Sequence, residues 1–351
     1  MKKYDINVVL TIFSLLALTT LAVIGFKDGM GNTVPKSEVR DTKEESPAKE
    51  ELASLSDTVF LKSPEAKQAV MEVEQDQMVA YGLYFDYANM TLPQVVQAYL
   101  DEIGMPYTSV AFSYKNTVTG EVISMNETQL MTAGSTYKLP LNMLIVDGVE
   151  TGEFSMDQAY DIADLEFENE SEYLAYRSQF GDDMTISEMQ EYSLVYSENT
   201  PAYGMVKMLG GFEQTYSMFE RYGKSRSDVA TIDFKSGNKT TSDYYIQVLD
   251  YLWHHQEKYK DILYFIGESF PGQYFKTYLP YLTIYQKPGY YAEALNVDAI
   301  VYEETPYLIA LYTAGLGGAD AQTTEINGLG YVQLTELTYV INQWHRVNQN
   351  P

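Results

Sequence analysis

The spacing of apolar and polar residues predicts a folded part in which strands and helices follow one another in blocks. Ser63 and Thr91 each stand just before a proline-containing first helical turn, and the second of these helices is expected to end near Gly104. β-rich runs predict strands at 108–114, 121–125, 282–286, 299–302 and 307–312. Between the second and third strands the spacing is helical, most clearly at 186–195, 212–222 and 242–253, and a last amphipathic helix is expected at 331–345. This order predicts an α/β domain with helices packed on a sheet.

The N-terminal region has the pattern of a membrane anchor followed by a tether. Lys2 and Lys3 precede an uncharged run from Val8 to Phe26, which as a helix covers about the hydrocarbon thickness of a bilayer. Residues 1–26 are therefore predicted to be an uncleaved anchor, with a cleaved signal peptide as the alternative, and the basic flank places the rest of the chain outside the cell. Residues 27–62 lack apolar periodicity and are predicted to be a disordered acidic linker, and residues 63–351 are predicted to form one domain.

The composition excludes several classes of function. The chain has 23 basic and 49 acidic residues, a net charge of −26, so its surface repels phosphate backbones and nucleic acid is not an expected partner. It has no cysteine, which excludes disulfides, thiolate metal sites and a cysteine nucleophile. Its three histidines, His254, His255 and His345, leave few candidates for a Ser-His-Asp triad or a metal site. We expect neither a metal nor another cofactor.

Ser135 and Lys138 form the first candidate pair for chemistry. They stand at the entry to the apolar run from Leu139 to Val146, and a spacing of three places both side chains on one helical face. A serine hydroxyl needs a base to become a nucleophile, and a lysine whose pKa is lowered by burial or by a nearby cation can act as that base. Taken alone, the pair is more typical of an N-capping serine and a surface lysine.

Two further segments occur in an order that strengthens this interpretation. Ser197-Glu198-Asn199 closes a helical run, and Lys287-Pro288-Gly289 lies at the end of a predicted strand. Together with Ser135-Thr136-Tyr137-Lys138 they resemble the Ser-x-x-Lys, Ser-Asp-Asn and Lys-Thr-Gly motifs of class A β-lactamases and penicillin-binding proteins. The stretches Gly152 to Gln158 and Leu209-Gly210-Gly211 are also similar to that family, and the resemblance covers the chain from about Tyr107 onward.

The resemblance implies a fold and a set of catalytic roles. The fold would be an α+β sandwich with an antiparallel sheet built from both ends of the domain and a helical lobe in the middle, with the site between them. Ser135 would be the acylated nucleophile, and Lys138 would be the base that activates it. Ser197 would relay a proton to the leaving group, and Lys287 would supply positive charge beside Ser197 and the substrate.

The resemblance also implies how a substrate would be held. Asn199 would form a hydrogen bond with the substrate amide, and the backbone N–H groups of Ser135 and Tyr290 would form the oxyanion hole. The second N–H group depends on its place directly after Gly289 and not on the tyrosine side chain. These residues are predicted to bind the substrate.

Three positions depart from the family pattern. Glu198 replaces the usual aspartate, where we expect a structural role, and Pro288 replaces a threonine or serine whose hydroxyl would bind a substrate carboxylate. The loop that carries the deacylating glutamate of class A β-lactamases is short here, and Asp233 is its only candidate base. Asp233 could equally match a structural aspartate that stands just before that glutamate. These departures predict weak binding of penicillins and of D-Ala termini, and slow deacylation.

The expected function is acyl transfer through a Ser135 acyl-enzyme, in an extracellular domain on a single-pass membrane anchor. The substrate would be a β-lactam or a peptidoglycan-derived peptide amide. An esterase or D,D-peptidase of the same fold is one alternative, and a non-catalytic envelope protein that binds a partner in the same groove is the other.

Overall fold

The computed structural model describes residues 62–161, 170–228, 232–233 and 238–351, the backbone alone at 232–233. The predicted anchor at 1–26 and all of the predicted linker except Lys62 lie outside these ranges. Within them, no helix is both long enough and apolar enough to cross a membrane. The described residues from Lys62 to Pro351 form one compact unit.

The helices of the described ranges begin and end where the sequence carries capping residues. The first, α1, has Ser63 as its N-cap, and α2 ends at Gly104, whose left-handed conformation closes the last turn. The α-helices are α1 (Pro64–Tyr81), α2 (Leu92–Ile103), α3 (Lys138–Glu150), α4 (Glu170–Phe180), α5 (Ile186–Leu194), α6 (Asn199–Met208), α7 (Phe212–Met218), α8 (Ser242–His254), α9 (Lys260–Glu268) and α10 (Gly328–Asn348).

The main sheet has five strands, and every neighbouring pair is antiparallel. The strands are β1 (Val110–Asn116), β2 (Val122–Met125), β8 (Thr283–Tyr291), β9 (Ala294–Tyr302) and β10 (Tyr307–Thr313). Their order is β2-β1-β10-β9-β8, so β1 joins the two early strands to the three late ones through β10, and β8 is an edge strand. A small three-stranded sheet contains β3 (Met131–Thr132), β6 (Ile232–Asp233) and β7 (Lys239–Thr240). A two-stranded sheet contains β4 (Ala159–Asp161) and β5 (Asp183–Thr185).

The two faces of the main sheet are covered by different helices. Successive side chains of a strand point to opposite faces. On β1, the hydroxyl of Ser113 lies 3.1 Å from that of Ser242 in α8, whereas the hydroxyl of the next residue, Tyr114, lies 2.7 Å from His345 Nδ1 in α10. The C-terminal helix α10 therefore covers one face. The helices α3–α9, called the helical lobe below, cover the other face, where α8 contacts β1.

This sheet confirms the predicted fold class, and it extends some of the predicted strands. Lys287 lies in the middle of β8 and not at a strand end, because β8 continues to Tyr291. The register places Lys287 opposite Asp298 of β9, and Asp298 opposite Ala310 of β10. Since Ala310 pairs with Ser113, Lys287 lies on the sheet face that α8 and the helical lobe cover.

Candidate active site

Ser135 lies in a tight turn between the sheet and the helical lobe. A 3-10 turn, Gly134–Tyr137, leads directly into α3 at Lys138. Ser135 is partly exposed, whereas Lys138 is fully buried. The structure therefore leaves the serine within reach of a ligand and withdraws the lysine from water.

Two asparagine side chains hold the segment that leads into this turn. Asn296 of β9 donates to the carbonyl oxygens of Thr132 (2.7 Å) and Ala133 (3.1 Å), and Asn238 donates to the carbonyl oxygen of Gly134 at 3.1 Å. The backbone N–H of Ala133 donates to the carbonyl oxygen of Asn238 at 2.8 Å. These bonds satisfy buried carbonyl groups and fix the turn against the sheet.

Ser197 lies in the loop between α5 and α6, close to the end of α3 that carries Lys138. Its φ of +61° is left-handed, a conformation that costs a non-glycine residue about 1–2 kcal/mol. Glu198 is the N-cap of α6, and Asn199 is its first residue. This turn directs the carbonyl oxygen of Ser197 to one lysine and its hydroxyl to another.

The two candidate lysines approach Ser197 from different elements, Lys138 from α3 and Lys287 from β8. Lys138 Nζ donates to the carbonyl oxygen of Ser197 and to Asn199 Oδ1, both at 2.6 Å. Lys287 Nζ donates to Ser197 Oγ at 2.7 Å and to the carbonyl oxygen of Pro288 at 2.9 Å. The structure thus brings together Lys138, Ser197, Asn199 and Lys287, which the sequence had predicted as separate motifs.

The electrostatic surroundings of Lys287 disfavour its charged form. The side chain is fully buried, and this burial, followed by the nearby charge of Lys138, holds the pKa of the Lys287 ammonium well below its ordinary value. Asp298 opposes the shift only in part. A lowered pKa makes the Lys287 ammonium a readier proton donor beside the serine turn.

The C-terminal part of β8 packs directly on the Ser135 turn. A methyl group on Gly289 would lie 2.5 Å from the carbonyl oxygen of Ala133, and one on Gly134 would lie 2.8 Å from the backbone nitrogen of Tyr290. Only glycine permits so close an approach of two backbones. The arrangement places Gly289 and the Tyr290 N–H group beside the serine turn, as an oxyanion hole would require.

The positions that depart from the family pattern have distinct surroundings. Pro288 is buried in the edge strand β8, where a missing N–H group is tolerated. Burial, and then the carboxylates of Glu198 and Glu172, raise the pKa of Tyr176, which places Glu198 against α4. Glu172 also accepts a hydrogen bond from Thr200 in the first turn of α6. These contacts give Glu198 structural neighbours in α4.

Asp233 lies in β6, where its backbone pairs with Lys239 of β7. Lys239 pairs in turn with Thr132, which is three residues before Ser135. The side chain of Asp233 lies outside the described part of the chain, so its predicted role stays a prediction.

The histidines lie apart from this cluster. His254 and His255 are exposed at the end of α8. His345 is buried in α10, and its two ring nitrogens form hydrogen bonds with Tyr114 and Asn350. Burial lowers the pKa of its imidazole to about 3. Within the described ranges, no group of His, Asp and Glu side chains has the arrangement of a metal site.

The sequence did not single out Asn238, Asn296, Thr136, Tyr312 and Asp298, all of which contact the serine turn or its neighbours. Asn296 and Asp298 lie two residues apart in the otherwise apolar strand β9, so both side chains point to the same face of the sheet. This alternation is the sequence signal that could have identified them. Their partners could not be read from the sequence, since they depend on the strand register.

A comparison of sequences identifies the family. A sequence model described as the β-lactamase enzyme family matches residues 94–332, more than half of the chain. Among curated proteins, no relative matches.

Solved structures agree with this fold. The reconstructed class A β-lactamase of the last common ancestor of Gram-negative bacteria is 17% identical, with a TM-score of 0.58 over 72% of this chain and 99% of that chain. A β-lactamase from Burkholderia vietnamiensis is 20% identical, with a TM-score of 0.58 over 71% of this chain and 96% of its own. One from Xanthomonas campestris pv. campestris is 18% identical, with a TM-score of 0.57 over 72% and 97%. At such identities the likeness establishes the fold alone.

The contact between β8 and the serine turn predicts the effect of Gly134→Ala. The added methyl group would meet backbone atoms of β8, and overpacking of this kind costs about 1–3 kcal/mol beyond the left-handed strain. Gly120→Ala is the matched control, because Gly120 is also left-handed but has no atom within 4 Å of an added methyl group. Urea unfolding should show a clearly larger loss of stability for Gly134→Ala, and equal losses would contradict the close approach.

Proposed function

The chain belongs to the β-lactamase enzyme family, and from the site that its residues build we propose that it is a serine hydrolase acting through a Ser135 acyl-enzyme. The observation that carries this proposal is the approach of two buried lysine nitrogens to Ser197, beside the turn that holds Ser135. Two ammonium groups so close to one serine repel each other, so the lysine pair favours a state in which one lysine is protonated and the other is neutral. That state supplies both a base and an acid.

In the proposed reaction, Lys138 takes the proton of Ser135 as the serine oxygen attacks the substrate carbonyl carbon. The N–H groups of Ser135 and Tyr290 stabilise the resulting oxyanion. When the bond to the leaving group breaks, Ser197 hands its hydroxyl proton to that group. Lys287 donates to Ser197 Oγ, so it can replace the proton that Ser197 gives up.

The proposed substrate is a β-lactam or a peptidoglycan-derived peptide amide. Asn199 would hold the substrate amide, and its contact with Lys138 at the start of α6 supports this role. Pro288 and the short loop around Asp233 support the alternative of an esterase or D,D-peptidase, and the missing hydroxyl, a partner for a substrate carboxylate, favours the esterase of these two. These functions are separated by profiling with penicillins, esters and D-Ala-D-Ala peptides. A non-catalytic binding protein would react with none of them.

Labelling with a serine-directed fluorophosphonate tests the nucleophile. We expect one label per chain, no label on Ser135→Ala, and labelling slowed about a hundredfold or more in Lys138→Ala and Ser197→Ala through loss of a proton-transfer partner. Ser217→Ala, an exposed serine that bonds to Gln214, should label like the parent chain. Labelling of Ser135→Ala at the parent rate would disprove the assignment of Ser135.

The second half of the reaction should be slow, because Pro288 and the short loop around Asp233 depart from the pattern of efficient β-lactamases. Loss of a water-activating base costs about two to four orders of magnitude. A reactive β-lactam should therefore give a burst of about one equivalent, a covalent adduct visible by intact mass, and very slow turnover. Asp233→Asn should change the slow phase little. Rapid hydrolysis of a penicillin that Asp233→Asn abolishes would instead establish Asp233 as the deacylating base.

We place the domain outside the cell on an uncleaved anchor, since Lys2 and Lys3 flank the uncharged run from Val8 to Phe26. Protease added to intact cells should then digest or release the domain. Digestion that occurs only after lysis would place the domain inside the cell and refute this topology.

A further inference from the structure

Asp298 is a buried acid next to the site, and the proposed reaction does not use it. It lies in β9 directly opposite Lys287 of β8 and is 1% exposed. Its side chain points to the sheet face that α8 covers. A buried carboxyl group beside Lys287 would ordinarily be interpreted as the counter-ion of the lysine pair.

The hydrogen bonds of Asp298 lead to the nucleophile turn and not to the lysines. Asp298 Oδ2 lies 3.1 Å from the hydroxyl oxygen of Tyr312, which lies 3.0 Å from Thr136 Oγ1. The Thr136 hydroxyl donates to the carbonyl oxygen of Ala133 at 3.0 Å. Since Ala133 and Thr136 flank Gly134 and Ser135, this relay joins β9 to both sides of the serine.

The number of protons in the relay decides the charge of Asp298. A hydroxyl group has one proton to donate. Thr136 gives its proton to Ala133, so the contact between Tyr312 and Thr136 needs the proton of Tyr312. The contact between Tyr312 and Asp298 then needs a proton from Asp298. All three contacts are hydrogen bonds only if Asp298 is a carboxylic acid.

The ionised form fits the surroundings poorly. Asp298 Oδ1 has no hydrogen-bond partner among the described residues, and Lys287 Nζ directs its bonds to Ser197 and Pro288. A buried carboxylate with a single hydrogen bond is costly. Burial raises the pKa of Asp298 well above its ordinary value, although the neighbouring Tyr312 hydroxyl and the charge of Lys287 act in the other direction.

The other ionisable groups that face Asp298 do not change this conclusion. They are Lys287 from β8, Tyr312 from β10, and Tyr244 and Tyr245 from α8. Burial raises the pKa of each of these tyrosines well above its ordinary value, so they are neutral. Lys287 is the basic group among them.

We propose that Asp298 is a positioning residue that works as the neutral carboxylic acid. It donates to Tyr312 and so, through Thr136, fixes the turn that presents Ser135. Because it carries no charge, it leaves the Lys138 and Lys287 pair without a buried counter-ion, and one of the two lysines stays neutral. The kinetic consequence rests on the proposed function, whereas the protonation state does not.

Acylation kinetics across a pH series test this role with paired variants. In Asp298→Asn the amide can donate to Tyr312 as the acid does, so the fluorophosphonate reaction should stay within about twofold of the parent chain. The acid limb of its pH profile, the fall in rate at low pH where the base becomes protonated, should lie at the same pH as in the parent chain. Asp298→Ala and Tyr312→Phe should each lower the limiting acylation rate constant about tenfold, the equivalent of one lost hydrogen bond, with little change in the half-saturating concentration. Because both substitutions break the same relay, the limiting acylation rate constant of the double variant should be no lower than that of either single variant.

The counter-ion interpretation gives a different outcome. If Asp298 were ionised, Asp298→Asn would remove a negative charge, lower the pKa of the lysine pair and move the acid limb to lower pH. That shift would overturn the proposal, as would parent-like acylation in Tyr312→Phe.

Infrared spectroscopy at neutral pH tests the protonation state without any substrate. We expect a carbonyl stretching band of a protonated carboxyl group that disappears in Asp298→Asn, and a parent chain without this band would overturn the proposal. If the band is present but no serine is labelled, the proposed hydrolase function fails while the neutral state of Asp298 stands.

Discussion

The site depends on the burial of two lysine side chains around one serine. An ammonium group loses several kcal/mol of effective solvation on burial, so each needs acceptors supplied by the fold. Ser197 serves both lysines, its carbonyl oxygen for Lys138 and its hydroxyl for Lys287. It can do so because its backbone is left-handed, which turns the two groups in different directions. Hydrogen bonds to both lysines help to offset the strain at Ser197.

This arrangement requires the helical lobe and the sheet to meet at a fixed distance. Lys138 and Ser197 belong to the lobe, whereas Lys287 belongs to edge strand β8. The two glycines at the contact, Gly134 and Gly289, let the backbones approach until an added methyl group would collide. Asn296 ties the same turn to β9. Backbone contacts thus set the spacing on which the lysine contacts depend.

The sequence predicted the local features of this fold and the motifs of the site, because both are encoded over short spans. Ser63 and Gly104 cap helices where expected, and Ser135 and Lys138 are three residues apart on one turn. It did not predict the relay through Tyr312 or the position of Asp298. Those contacts join residues far apart in the chain, and a shift of one residue in the β8, β9 or β10 register would turn their side chains to the other face.

Pro288 shows how these constraints act on substrate choice in the proposed reaction. A proline in β8 offers a ligand neither an N–H group nor a hydroxyl, and its carbonyl oxygen already accepts a hydrogen bond from Lys287. Lys287 is fully buried, so its charge reaches a ligand mainly through Ser197. A substrate carboxylate would then lack the direct polar clamp that a threonine and an exposed lysine provide. Recognition would rest instead on the amide group, through Asn199 and the backbone beside Gly289, which favours substrates defined by their acyl group over substrates defined by a terminal negative charge.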